Sequence, residues 1–187
     1  YRQTGNVATL QTGLTGAPLL VTELQANECL SEPFSVHLKM KSENASIDTA
    51  GLIGQKVSVT ICLSNGAQRF FHGLFKAVGF ETVDAAFAYH TAEIVPELSR
   101  MEFDRDRRIF QNLSVVEIIE QYLQRYSLVF EKRLIGAYPT REYCVQYDES
   151  PLHFLSRLMQ DEGIWYFFKQ TTNGCSIVLA DHNAAFS

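Results

Sequence analysis

The sequence is poor in most features that mark catalytic chemistry or membranes. Its four cysteines, Cys29, Cys62, Cys144 and Cys175, lie far apart. No C-x-x-C or C-x-x-H spacing occurs, so a structural zinc site has no support. Each cysteine sits in an apolar or strand-like run and reads as a small, reduced core residue. The five histidines, at 37, 72, 90, 153 and 182, form no i, i+4 pair and no H-E-x-x-H, which leaves a metal without a ligand set. A glycine-rich phosphate loop and a G-x-S-x-G elbow are both missing, and no cofactor is expected. Positive charge is scarce too. The 16 Lys and Arg against 21 Asp and Glu give a net charge of −5, which repels a nucleic-acid backbone. No apolar run approaches the roughly 18–20 residues of a membrane span. Tyr1 opens a polar stretch without the pattern of a signal peptide, and the lack of an initiator Met implies a trimmed N-terminus or a fragment.

What remains is the composition of a globular chain, 46% hydrophobic and 20% charged over 187 residues, with 13 Phe and 8 Tyr. Aromatic richness of this kind suits β-structure or contact surfaces. "PFSVHLKMKS" alternates, with Phe34, Val36, Leu38 and Met40 on one face and Ser35, His37, Lys39 and Lys41 on the other. That period of two marks a strand with one wet face. Val57, Val59, Ile61 and Leu63 repeat it, and Asn65-Gly66 supplies the positive φ angles of a tight hairpin turn. Gly73 and Gly79 interrupt the next apolar stretch as bulges or bends do. Residues 85–96 form a further strand ended by Pro96, and "IDTAGLIGQ" makes one helical turn after Asp48. Five or more short strands in about 100 residues predict a small antiparallel barrel or sandwich.

The second half changes character. Ser114 and Glu117 are spaced as a capping box, and Val115, Ile118, Ile119, Tyr122, Leu123 and Tyr126 follow as a helical stripe. "REYCVQYDE" alternates as a strand. "SPLHFLSRLMQDEG" is a second helix, with Ser150 as cap, Pro151 at its first position and Gly163 as terminator. "IWYFFKQTTNGCSIVLAD" is a hairpin through Asn173-Gly174, whose strand Ile164 to Phe168 is apolar on both faces and is therefore expected to be covered on both. The expected organisation is mainly β, of α+β class. A barrel-like module spans 1–100, and an α+β module with two helices and a hairpin spans 101–187.

Several stretches imitate active sites. "CVQYDES" gathers Cys144, Asp148, Glu149 and Ser150, with His153 beyond. Cys144 and Asp148 share a strand face but stand about 13 Å apart at the usual rise, too far for a nucleophile and its base. Ser150 is explained by capping, Asp148 and Glu149 by the helix N-terminus, and His153 by a solvent-facing position on the first turn. Asp161 and Glu162 resemble a glycosidase carboxylate pair, but neighbours on a helix point apart, so a catalytic partner would have to come from elsewhere. "SRMEFDRDRRIF" interleaves Arg100, Arg105, Arg107 and Arg108 with Glu102, Asp104 and Asp106. Such alternation reads as a solvated face or salt-bridge ladder, and secondarily as a protein contact. No catalytic residue is assigned.

As a set, "LSEPFSVHL" (30–38), "FHGLF" (71–75), "RIFQNLSVVEII" (108–119), "YPTREYCVQYDES" (138–150) and "FLSRLMQDEGIWYFF" (154–168) resemble the VgrG family, the spike of the bacterial type VI secretion apparatus. The resemblance runs from about Leu30 to Asp181. One departure is Pro151, where the family more often has aspartate after "ES". The resemblance implies a phage tail-hub-like fold and the first half of a trimeric hub base that caps the inner tube. Implied partners are the hexameric tube protein, baseplate proteins and effectors carried with the needle. Implied location is the bacterial cytoplasm during assembly, followed by secretion or translocation into target cells. The same fold in a contractile phage hub is the alternative, and a cell-wall or glycoside hydrolase a more distant one. An assembly role requires apolar surface for neighbouring chains. The candidate interface is Trp165 and Phe167, in a layer covered within the chain or between protomers.

Overall fold

The structure is a computed structural model that describes residues 7–13 and 18–186. The chain divides into two compact units. One comprises residues 1–28, 34–96 and 170–175, the other residues 29–33, 97–169 and 176–187.

In the first unit, β1 (Ala8–Thr12), β2 (Leu20–Asn27), β3 (Ser35–Ser42), β4 (Lys56–Cys62), β5 (Gln68–Val83) and β6 (Ala88–Val95) build one six-stranded sheet. Its order is β1-β4-β5-β6-β3-β2, and every pairing is antiparallel. The outermost strands, β1 and β2, lie near each other, so the sheet curls toward a barrel. Alternation dictates the lining. Val36, Leu38 and Met40 of β3, Val57 and Val59 of β4, Phe71 and Phe75 of β5, and Ala88, Ala92 and Ile94 of β6 are all buried. Phe34 and Phe71 add a tilted ring pair, centroids 5.7 Å apart, worth about 1 kcal/mol beyond the area buried.

The turns differ in detail from the sequence reading. Asp48 does start a single 3-10 turn, Ala50–Leu52, by accepting the Gly51 N–H at 3.0 Å. Between β4 and β5 only Gly66 has positive φ, +82°. Gly66 N donates to Leu63 O at 2.9 Å and Leu63 N to Ala67 O at 2.8 Å, so a turn followed by one left-handed glycine replaces the two-residue hairpin. Asn65 serves instead through its side chain, which accepts the Ala67 N–H at 3.0 Å. The bulges of β5 fall between Phe75 and Ala77 and between Phe80 and Thr82, not at its glycines. Gly73 answers a different need, because a Cβ there would stand 2.3 Å from the Val95 carbonyl oxygen. Backbone approaches backbone at that point, and only hydrogen fits.

The second unit opens with a 3-10 segment, Glu97–Glu102, followed by β7 (Asp106–Leu113), α1 (Val115–Arg125), β8 (Phe130–Arg133), β9 (Arg141–Glu149), α2 (Pro151–Asp161), β10 (Trp165–Thr171) and β11 (Gly174–Ala180), of which the hairpin tip, residues 170–175, belongs to the first unit. β7 and β9 form an antiparallel ribbon. The other sheet has the order β10-β11-β8, with β8 parallel to β11. The capping box is present: Ser114 Oγ accepts Glu117 N–H at 3.3 Å and the Glu117 carboxylate accepts Ser114 N–H at 2.7 Å. Both helices end alike. Ser127 (φ +55°) after α1 and Gly163 (φ +68°) after α2 turn left-handed. The next amides, Leu128 and Ile164, then reach back to Leu123 and Met159 carbonyls at 2.9 and 2.8 Å, as in a Schellman motif. The inward stripes, Ile118, Ile119, Tyr122 and Leu123 of α1 and Phe154, Leu155 and Leu158 of α2, share one core with Phe110, Tyr166, Ile177 and Leu179.

Candidate functional site

Most of the residues that look reactive have structural partners, whereas Cys29 and Cys62 are exposed and not the core residues expected. Cys144 is buried in the core of the second unit. Asp148 breaks the alternation of β9, with φ +53° at the irregularity opposite Asp106 and Arg107, and its exposed carboxylate faces Arg107 at 3.6 Å and Arg105 at 3.9 Å. Glu149 accepts from Arg157 at 2.7 Å and from His153 Nδ1 at 2.6 Å. Burial pushes the Glu149 carboxyl up, but the hydrogen bonds from Arg157 and His153 outweigh it and hold the group below the ordinary carboxylate range. Ser150 Oγ takes the His153 amide at 3.2 Å as a helix cap. Glu162 is held by Arg141 at 2.7 Å, while Asp161 is exposed.

The arginine-rich stretch is β7, and its charges form the ladder. Asp106 meets Arg125 at 3.0 Å and Arg108 at 3.9 Å, chiefly the Arg125 hydrogen bond lowering its pKa. Asp104 accepts from the Tyr126 hydroxyl. Arg108 lies over the Phe110 and Tyr122 rings at 5.6 and 5.5 Å, a cation–π arrangement. Beneath it, the fully buried Tyr122 hydroxyl donates to Gln146 Oε1, and Gln146 Nε2 donates to the Glu149 carbonyl at 2.8 Å. Burial, above all, raises the Tyr122 pKa, which keeps the phenol protonated as a donor.

Two networks escaped sequence reasoning. Asp181 accepts from Gly136 N–H and the Tyr138 hydroxyl, both at 2.7 Å, from Ile135 N–H at 3.0 Å and from His182 Nδ1 at 3.0 Å. Burial would raise the Asp181 carboxyl, yet these donors hold it far below the usual range. In the first unit, Ser58 Oγ and His72 Nδ1 are 2.8 Å apart and His72 Nε2 is 2.8 Å from the Thr171 carbonyl oxygen. A carbonyl only accepts, so Nε2 carries the proton and Ser58 donates to Nδ1. With Gln170 Oε1 accepting the His72 amide at 3.1 Å, this serine–histidine pair is a strut that fastens residues 170–171 to β5. Its only signal is the hairpin register, which makes Ser58 and His72 direct partners.

Trp165 and Phe167 lie on the face of β10 away from the helices and are half-buried, their ring centroids 5.9 Å apart. By alternation this face also holds Val178 and Ala180 of β11, both fully buried. The inner neighbours Ile164 and Tyr166 are buried in the core. A second apolar surface is the outer face of the β7–β9 ribbon, which includes part of the arginine-rich stretch read secondarily as a protein contact. There Ile109, Tyr143 and Tyr147 are 61%, 56% and 72% exposed, with Arg107 5.3 Å over the Tyr147 ring. Tyrosine and arginine together are what protein contacts favour. Among the described residues no group of three or more His, Cys, Asp or Glu is placed to hold a metal ion, and no helix is long and apolar enough to cross a membrane.

A curled antiparallel sheet followed by an α+β unit is the fold of a hub module. The chain belongs to the phage tail baseplate hub (GPD) family, whose model matches residues 27–187. It is 36% identical over 168 residues, 89% of its length, to the type VI secretion system spike protein VgrG1b of Pseudomonas aeruginosa, and covers 23% of that protein. It is also 36% identical to VgrG1a of the same organism, over 87% of this chain and 26% of that one. The chain thus spans about a quarter of the relatives' length. Among solved structures it superimposes on the Escherichia coli c3393 protein, a type VI secretion component described as similar to the T4 tail proteins gp27 and gp5. The TM-score is 0.86 at 25% identity, over 94% of this chain and 50% of that one. The 43 kDa tail protein of prophage MuSo2 from Shewanella oneidensis shares the fold, with TM-score 0.66 and 14% identity over 92% of this chain and 52% of that one.

Proposed function

We propose that the chain is the N-terminal hub portion of a longer type VI secretion spike protein and that its work is assembly, not catalysis. In this reading three copies of the longer protein form a base that caps the hexameric inner tube. The base meets the baseplate, and the needle and effectors extend from it. It is assembled in the bacterial cytoplasm and then exported toward target cells. The observation that carries the reading is the 36% identity to spike proteins over 89% of the chain. A phage-tail setting is supported by the family model and by a fold likeness at 14% identity, while the relatives at 36% identity are secretion spike proteins.

Trp165 and Phe167 are the proposed protomer contact, because each ring is half-buried beside the fully buried Val178 and Ala180. The test is the double variant Trp165→Ala, Phe167→Ala in a chain of the relatives' full length, followed by sedimentation. Two half-buried rings make the cost to the isolated 187-residue chain about 3–5 kcal/mol in all, so folding of the variant is checked first by circular dichroism, and the trimer of the longer protein is lost. A trimer that forms normally at micromolar concentration overturns the assignment of these two residues.

A further inference from the structure

His90 occupies an unusual position for a polar side chain. It lies on β6 and is 1% exposed, and neither ring nitrogen has a hydrogen-bond partner. A buried imidazole must keep one N–H, and leaving that donor unmet costs stability. Its cross-strand neighbours are Met40 on β3 and Phe80 on β5. The Phe80 ring stands edge-on to it, centroids 5.8 Å apart at 72°. Phe80 is 56% exposed, which is a poor position for a large apolar side chain unless it shields something.

Among the described residues no carboxylate hydrogen-bonds to the ring. On β3 the adjacent Lys39 points outward, paired with Glu23 at 2.8 Å, and Lys41 sits 4.3 Å over the Phe87 ring. On β5 the nearest titratable residue, Glu81, falls in the bulge after Phe80 and is exposed. On β6 itself Tyr89 points the other way, its hydroxyl bonded to Asp84 at 2.8 Å, and Glu93 pairs with Lys76 at 2.9 Å.

We infer that His90, covered by Phe80, is an acid-sensitive latch in the curled sheet: protonation of its ring forces the covered site open to water and loosens the pairing of β5 with β6. Burial lowers the pKa of the ring below its ordinary 6.5. A base whose folded pKa is depressed leaves stability complete above the unfolded value and drains it as pH falls through 6.5. The ceiling is set by the unfolded imidazole: between pH 7.5 and 5.5 the unfolding constant can rise by at most about tenfold through this group. A hub with such a latch holds firm at neutral pH and becomes easier to open in acid.

The test compares urea unfolding of the protein with that of His90→Leu at pH 7.5, 6.5 and 5.5. The wild-type unfolding constant is expected to rise several-fold more on acidification than that of the variant, the difference removing the contributions of His37, His72, His153 and His182. Should His90→Leu fail to fold, the imidazole resonances of the wild type are followed by NMR, with Phe80→Ala as companion. His90 is then expected to titrate below the exposed histidines in the wild type and to move toward them when the cover is removed. Equal pH dependence of wild type and His90→Leu, or a His90 that titrates with the exposed rings, overturns the inference.

Discussion

Replacing Tyr122 by phenylalanine removes one oxygen from the interior of the second unit and changes almost nothing of its shape. The ring keeps its place between Phe110 and Phe154, whose centroids lie 5.9 and 6.0 Å away. What is lost is the hydroxyl that donates to Gln146 Oε1. Gln146 is fully buried and tied by its amide nitrogen to the Glu149 carbonyl, so it cannot turn to water without giving up that bond. An acceptor stranded in this way costs about 1–3 kcal/mol. The central value of about 2 kcal/mol lowers the melting temperature of a chain this size by about 4–8 °C. Urea unfolding monitored by circular dichroism should show a lower midpoint with an unchanged slope. The double variant Tyr122→Phe, Gln146→Leu should cost less than the sum of the single variants by about 1 kcal/mol or more, because removing both partners leaves no stranded acceptor between them. A neutral Tyr122→Phe, or strict additivity, would refute the reasoning that this bond organises the interior.

Gly73→Ala should destabilise the first unit by about 2–3 kcal/mol, since its Cβ meets the Val95 carbonyl oxygen at 2.3 Å, whereas Gly79→Ala should be milder because its obstacle is the movable Thr91 hydroxyl. Ser114→Ala should cost about 1 kcal/mol in thermal melts, the capping box being intact in the parent. Asp181 and Glu149 both have lowered pKa values, from ordinary values of 3.8 and 4.5. Their contribution is therefore complete above those values and lost as pH falls through the folded ones. Acid titration of wild type should show this loss, and Asp181→Asn should flatten it.

The parts of the fold that were legible are those where side-chain period and burial agree. β3, with Val36, Leu38 and Met40 buried and His37 and Lys39 exposed, is read directly from its alternation. The two helices follow from their caps and stripes. β2 was missed because most of its residues, Thr22, Glu23 and Gln25 among them, are exposed at a sheet edge, so neither face needs to be apolar. β7 was hidden by its charges: the inward side chains of its first half are Asp106 and Arg108, with Phe110 the first buried apolar residue. β8 is four residues long and gains its place from β11, which lies far away in sequence. The candidate contact was legible as an apolar strand, but the extent of its covering was not, since that depends on what lies across the outer face. Ser58–His72 and the Asp181 cradle were invisible because each joins residues that only the register or the fold brings together.

The assembly reading stands or falls on the mass in solution of a chain extended to the length of the Pseudomonas spike proteins, measured by light scattering beside the 187-residue chain. Three copies for the longer protein and one for the shorter is the expected result. A longer protein that remains a single chain at every concentration would contradict it.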